Sequence, residues 1–524
     1  MALDILIKNG TIIDGLGTPG YHADIAIKDG KIAKIGFLGA PNTKTTIDAT
    51  GLFVTPGFID INNASDRYWT LFNHPNSESL LYQGITTIIG GNCGSSLAPL
   101  TTGNIILSIQ KWADVRKINV NWLTLHEFFE EIKKRKLLLN FGTLIGHSTL
   151  RRGIVKDEFR DLNSKELMQI NYFLESSLSE GALGFSTGLN YSHAKIAPPE
   201  EIVGLLSVLS PGKIYATHLR DEGSKLYESV VEAIETAKKN KTNIEISHFK
   251  AAHKSNWPLF KKSLEEIHKA AETGVDINFD VYPYTSTATV LYTLLPDWIA
   301  VGGRINLLEN LKNSALRTRA VSEIKNREDE FKDIVIASGD IDKIYIGKTI
   351  GSIAQNQGAS ILEAMINLLV AAKGKLIIFW PSLSEDNLIE ALKSKFSIIV
   401  TDGTAANLDD AKLGYLLHPR SFGSFTRVLG RYVREKNILS WEEAVKKMTA
   451  LPALKIGLKN RGVIKDSYFA DITIFNPETV KDLATFENPF QYSGGIRSVI
   501  INGRVALFEG KIQNRGLGRL LYGD

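Results

Sequence analysis

The sequence has a single cysteine, Cys93. One thiol excludes an intrachain disulfide, and with it the small secreted scaffolds that use disulfides in place of a large core. Also missing is any apolar run near the roughly 18–20 residues that a membrane-crossing helix needs. The opening Met1-Ala-Leu-Asp-Ile-Leu-Ile-Lys8 has no basic stretch ahead of its short apolar run, so no signal peptide is expected. Charge of one sign is not in excess either: 61 Lys and Arg against 57 Asp and Glu leave +4, with no basic run interleaved with aromatics. Nucleic-acid and membrane roles therefore have no support, and a cytoplasmic protein is expected. What the chain does have is length and apolar content, 524 residues at 44% hydrophobic. That is enough for several domains or for one large closed barrel with additions.

The two ends of the chain resemble each other. Residues 23–36 alternate apolar and polar on either side of Asp29-Gly30, and residues 498–507 do the same around Asn502-Gly503. Both are hairpin signals, and residues 470–475 add another strand-like run. One β-domain assembled from residues 1–55 and 447–524 is expected. Between them, residues 56–446 alternate short β-branched runs with amphipathic helical ones. Examples are residues 85–89 as a strand, and Leu226, Val230, Ile234 and Ala237 at helical spacing. Repetition of this unit predicts parallel strands and a (β/α)8 barrel. About nine candidate strands are present, one too many, so either 376–379 or 397–400 is expected to lie off the barrel. Around residues 296–348 the pattern loosens into polar helical sequence, read as an insertion covering the barrel mouth.

In such a barrel the chemistry sits at the C-terminal ends of the strands. Four polar residues follow strand-like runs directly: Cys93 in Gly90-Gly-Asn-Cys-Gly94, His218 in Tyr215-Ala-Thr-His218, His248 in Glu245-Ile-Ser-His248, and Asp402 in Val400-Thr-Asp-Gly403. Singly, each has an ordinary reading as a small buried thiol, a hydrogen-bonded polar residue or a turn residue. Together, a thiolate and two neutral imidazoles make three ligands of a catalytic zinc site with one open position. Zinc in that setting polarises a carbonyl and acidifies water, and Asp402 is placed to move the proton, so the set points to amide hydrolysis. His147 is a weaker candidate, read as a packing or supporting group.

At these residues the sequence resembles the N-acyl-D-amino-acid deacylase, or D-aminoacylase, branch of the amidohydrolase superfamily. The resemblance spans nearly the whole chain. It is carried by Val54-Thr-Pro-Gly-Phe-Ile-Asp60, Gln83-Gly-Ile-Thr-Thr87, the cysteine motif, Gly146-His-Ser-Thr-Leu-Arg151, Gly181-Ala-Leu-Gly-Phe-Ser-Thr-Gly-Leu189, Thr217-His-Leu-Arg220, Ser247-His-Phe-Lys250, Tyr282-Pro-Tyr-Thr285 and His418-Pro-Arg-Ser-Phe-Gly-Ser-Phe-Thr-Arg-Val-Leu-Gly430. It implies a zinc-bearing TIM-like hydrolase barrel with a small β-sandwich built from both chain ends. It further implies that Cys93, His218 and His248 hold the zinc and that Asp402 is the general acid/base. Tyr191, Lys250, Tyr282 and Arg420 fall on the positions that recognise the substrate carboxylate, and the implied partner is a small N-acyl amino acid.

Three departures stand out. After Pro-Gly-Phe-Ile-Asp60 the family has X-His-X-His, whereas this chain reads Ile-Asn62-Asn-Ala64. A second metal position would keep too few ligands, so one zinc per chain is expected. Ala288 stands where a serine near the substrate carboxylate is usual. The stretch between Asp402 and Arg420 lacks the customary Pro-His pair. These departures keep two alternatives open: a related amidohydrolase acting on a cyclic amide or another acylated amine, and a non-catalytic zinc-stabilised relative.

Overall fold

A computed structural model of the protein describes residues 3–39, 41–101, 118–156 and 158–523, with only the backbone of Ser192 and His193. Eight parallel strand positions form the central barrel: Phe58–Asp60, Ile85–Gly90, a path through Asn140–Thr143 and Ile145–Gly146, Gly184–Gly188, Ile214–His218, Asn243–Ile246, Ile277–Val281 and Ser397–Ile399. Ile85–Gly90 is buried along its whole length, as expected of a barrel strand flanked by side chains on both faces. The outer helices present the expected stripes. Leu226, Val230, Ile234 and Ala237 are all buried along Leu226–Asn240, and Asn163 and Glu166 form a reciprocal cap at the start of Ser164–Ser179.

Side chains and single backbone contacts close two seams that lack a continuous ladder. At one, the Leu144 N–H donates to the Gly90 carbonyl, and Gly91 is needed because a Cβ there would come within 2.0 Å of the Leu144 carbonyl oxygen. At the other, the Asp60 carboxylate accepts from the Thr401 N–H and hydroxyl and from Asn63 Nδ2, tying the first strand to the last. Burial raises the Asp60 carboxyl to about 6, with those hydrogen bonds opposing it.

Both chain ends build the β-sandwich. Its nine-stranded sheet takes Leu3–Ile12, Tyr21–Lys28, Lys31–Gly36, Thr43–Asp48 and Phe53–Pro56 from the N-terminal side, and Ile472–Phe475, Ile496–Ile501, Arg504–Phe508 and Lys511–Ile512 from the C-terminal side. The antiparallel pairing of Ile472–Phe475 with Phe53–Pro56 joins the two halves over an isoleucine-rich core. The two hairpin tips meet: Asp29, Gly30, Asn502 and Gly503 all have positive φ, and a Cβ on Gly503 would lie 2.5 Å from the Gly30 Cα. Asn502 Nδ2 also donates to Asn140 Oδ1 at 2.8 Å, anchoring this layer to the barrel.

Of the two competing strands, Ser397–Ile399 pairs in the barrel, and Leu376–Trp380 lies off it. The latter is the centre of a three-stranded antiparallel sheet with Thr287–Val290 and Val335–Gly339. Leu291, Phe331, Met365, Ile378 and Trp380 belong to that unit's own apolar cluster. The insertion expected over 296–348 is thus the middle of a larger unit running from Thr287 to Trp380. The pattern understated it because Ile361–Ala371 and Leu376–Trp380 read, in sequence, like one more barrel helix and strand. No helix among the described residues is long and apolar enough to cross a membrane.

Candidate active site

Three of the four strand-end residues adopt left-handed backbone conformations: Cys93 at φ 52°, His248 at φ 38° and Asp402 at φ 42°. Such values are uncommon away from glycine and cluster where a loop must aim a side chain. Around Cys93 the chain is tightly enclosed, since a Cβ on Gly94 would come 2.7 Å from the Gly188 nitrogen. The glycines of the Gly90–Gly94 loop therefore let the thiol reach the barrel mouth.

Cys93, His218 and His248 converge there. One candidate ligand atom from each lies within 4.8 Å of the others, and all three residues are buried. Cys93 Sγ is 3.5 Å from His248 Nε2, and the two imidazole rings stand nearly perpendicular with centroids 4.3 Å apart. Burial pushes the Cys93 thiol up, but Arg67 and His218 outweigh it and hold the thiol below its usual range. Among the described residues neither ring nitrogen of His218 has a hydrogen-bond partner, although Glu222 Oε2 lies 3.4 Å from Nε2. Buried nitrogens without partners are costly, and a metal–ligand bond is chemistry that satisfies them. The donor set of one sulfur and two imidazole nitrogens fits tetrahedral zinc with one position open.

Asp402 stands on the rim of the same cavity, of about 430 Å³, which Cys93, His218 and His248 also line. Its Oδ2 pairs with Arg420 Nη1 at 2.7 Å. Burial opposes ionisation of Asp402, but Arg420, His248 and Arg67 keep its carboxyl below the ordinary value. The Arg420 guanidinium lies over the Tyr282 ring, 4.7 Å from its centroid. Its backbone N–H donates to His418 Nδ1, whose Nε2 in turn donates to the Ser286 carbonyl. Lys250 and Tyr191 line the cavity as well, the Tyr191 ring 5.2 Å from that of His218. All eight residues singled out in the sequence thus surround one space. His147 does not; it pairs with Glu201 at 2.7 Å and packs against Phe185. A second cavity of about 610 Å³ meets the first at Tyr68, Ala288, Asp402 and Arg420. The altered position Ala288 therefore lies where the two spaces join.

Over all 524 residues the chain is 32% identical to the N-acyl-D-glutamate deacylase of Alcaligenes xylosoxydans xylosoxydans, covering 100% of this chain and 97% of that protein. The chain belongs to the N-acyl-D-amino-acid deacylase family of amidohydrolases. A family model described as an amidohydrolase family matches residues 414–507, and one for the N-terminal domain of the urease alpha-subunit matches residues 1–57. Among solved structures, the N-acyl-D-glutamate deacylase of Bordetella bronchiseptica superposes with a TM-score of 0.84 at 29% identity, covering 100% of both chains. That structure is complexed with zinc and a phosphonate mimic of the tetrahedral intermediate. A D-aminoacylase described by one-metal activation and second-metal attenuation superposes with a TM-score of 0.83, also at 29% identity, covering 99% of this chain and 100% of that one.

Within this member of the deacylase family, sequence reasoning missed several groups that hold the site. Glu222 is largely shielded from solvent, with Oε1 3.0 Å from His248 Nδ1 and 2.5 Å from Lys250 Nζ. His248 Nε2 turns towards Cys93, and Nδ1 lies between Glu222 Oε1 at 3.0 Å and Lys250 Nζ at 2.9 Å, which places a carboxylate where it can orient a metal-ligating imidazole. Burial raises the Glu222 carboxyl, but Lys250, His218 and His248 hold it well below its usual range. Glu222 lies four residues past His218 in a loop, where no periodicity marks it. Replacing it with Gln is expected to weaken zinc binding about 10–100-fold, read by competition with a chelator. Unchanged affinity would show that Glu222 does not act through His248.

Asp280 is a second such group. Its Oδ1 accepts the His248 N–H at 2.6 Å, and burial pushes its carboxyl up to about 7. Asn62, at the first altered position, donates from Nδ2 to both oxygens of Asp280 at 3.2 and 3.3 Å. Ala64, at the second, lines the cavity and donates its N–H to the Gly403 carbonyl at 2.7 Å.

Proposed function

We propose that the protein hydrolyses the amide bond of N-acyl-D-amino acids, giving a carboxylate and a free D-amino acid, with one zinc held by Cys93, His218 and His248. The observation that carries this reading is the buried Cys93–His218–His248 cluster, which shares a cavity with the Asp402–Arg420 pair. The end-to-end likeness to N-acyl-D-amino-acid deacylases supports it. Bound there, zinc supplies Lewis-acid polarisation of the amide carbonyl and lowers the pKa of water.

The chain's own residues do the rest. Asp402 takes the proton from water as its oxygen bonds to the carbonyl carbon. It returns that proton to the nitrogen as the C–N bond breaks, so the group ends as it began. Arg420 grips the substrate carboxylate through paired N–H donors, with Tyr282, Tyr191 and Lys250 adding single donors. Glu222 fixes the ring of His248. The stoichiometry of one follows from the donors: Ala64 has none, and Asn62, held through its Nδ2 to Asp280, offers only a neutral amide oxygen, a weak zinc ligand. In the D-aminoacylase described by one-metal activation, a single metal is likewise the activating state. We read residues 56–446 as the catalytic barrel and 1–55 with 447–524 as the sandwich domain, in a cytoplasmic enzyme.

The test is amine release from N-acetyl amino acids in matched D and L pairs, with zinc-loaded protein. Turnover of D members with silent L partners is expected. Silence across the panel with zinc bound would overturn the reading.

A further inference from the structure

Arg67 sits three residues beyond Ala64, on the loop leaving the first barrel strand. Only 4% of its surface is exposed. The preceding residue is fixed, with Asp66 Oδ2 accepting the Gly91 N–H at 2.6 Å, so the loop that carries Arg67 is held against the cysteine loop. The guanidinium side chain lines the cavity beside Ala64, Cys93 and Asp402. Among the described residues it makes no side-chain hydrogen bond, and its Nε is buried without a partner. A desolvated arginine normally pairs with a carboxylate through its fork of donors. This one instead faces a site.

The charges around it are negative. Burial opposes the charge on Arg67, but Cys93, Asp66, Tyr191 and Asp402 outweigh burial and favour the cation. The effect is mutual, because Arg67 is the foremost charge favouring the Cys93 thiolate and also favours ionised Asp402. Cys93 and Asp402 are the two groups a second metal would have to share once the imidazoles at 62 and 64 are gone. A guanidinium stays protonated at any working pH, and like charges a few ångströms apart repel strongly where water is excluded.

We propose that Arg67 is a built-in cation that takes the place of a second metal ion, excluding a divalent ion from the Asn62–Ala64–Asp402 side of the cavity and balancing Cys93 and Asp402. The inference rests on the single-zinc reading above. It treats three positions as one set: no imidazole at 62 or 64 to hold a second ion, and a positive charge supplied by the side chain at 67.

Metal stoichiometry tests it without recourse to activity. After saturation with zinc and removal of the excess, elemental analysis is expected to find one zinc per chain in the native protein. The Asn62→His/Ala64→His variant is expected to stay at one, although it regains both imidazoles. Adding Arg67→Gln to that pair is expected to raise the count to two, whereas adding Arg67→Lys, which keeps the charge, is expected to leave it at one. Two zinc ions in the Asn62→His/Ala64→His variant, or one in the Arg67→Gln triple variant, overturns the proposal. Native protein that binds no zinc overturns the zinc reading itself and is thereby distinguished. Should the triple variants fail to fold, calorimetric titration of the Asn62→His/Arg67→Gln variant with zinc is expected to show a second binding event absent from the Asn62→His variant. A titration without that second event overturns the proposal.

Discussion

Replacing Cys93 with Ala should remove both zinc and turnover while leaving the fold intact. In the proposed site Cys93 would supply the one anionic donor among Cys93, His218 and His248, and two imidazoles alone make a weak zinc site. Losing Lewis-acid assistance worth several kcal/mol corresponds to a fall in kcat of about 10³-fold or more. The backbone should tolerate the change, because Ala has the same Cβ as Cys, and the flanking glycines that permit the tight approach are untouched. The measurements are elemental analysis, amine release and a thermal melt. A variant that kept its zinc and its rate would end the case for Cys93 as a ligand.

Asp402→Asn separates proton transfer from metal binding. Asn matches Asp in size, so the zinc content should stay at the native level, while turnover falls about 10²–10⁴-fold for want of a group that can take up and return a proton. The ion pair to Arg420 adds a second signature. Without its carboxylate partner the guanidinium keeps its position over Tyr282 and remains free to meet the substrate carboxylate. The loss should therefore appear in kcat, with KM unchanged or lower. Undiminished kcat in this variant would remove Asp402 from the mechanism.

The elements read correctly from the sequence share a property: a short window of residues encodes them. Asp29-Gly30 and Asn502-Gly503 mark hairpin tips through their own φ preferences. Leu226, Val230, Ile234 and Ala237 mark a buried helix face through spacing alone. Cys93, His218, His248 and Asp402 were legible as site candidates because each directly follows an apolar run, and barrel strands end where the chemistry is. Leu376–Trp380 shows the limit. Its β-branched and aromatic residues announce a strand, but whether it pairs in the barrel or in the inserted sheet depends on partners at residues 287–290 and 335–339.

The supporting groups lie beyond that limit. Glu222, Asp280 and Arg67 carry no local pattern that separates them from surface carboxylates and a surface arginine. Each matters through a neighbour that is remote in sequence or in orientation: Glu222 through His248 Nδ1, Asp280 through the His248 N–H and Asn62, Arg67 through Cys93 and Asp402. By itself the sequence determined the barrel, the shared β-domain, the absence of a disulfide and the donor set suited to zinc, since backbone preference, hydrophobic period and ligand chemistry are properties of residues and short segments. Only the tertiary structure decided which charges face that donor set and which strand closes the barrel, because burial and charge pairing arise only when distant parts of the chain exclude water together.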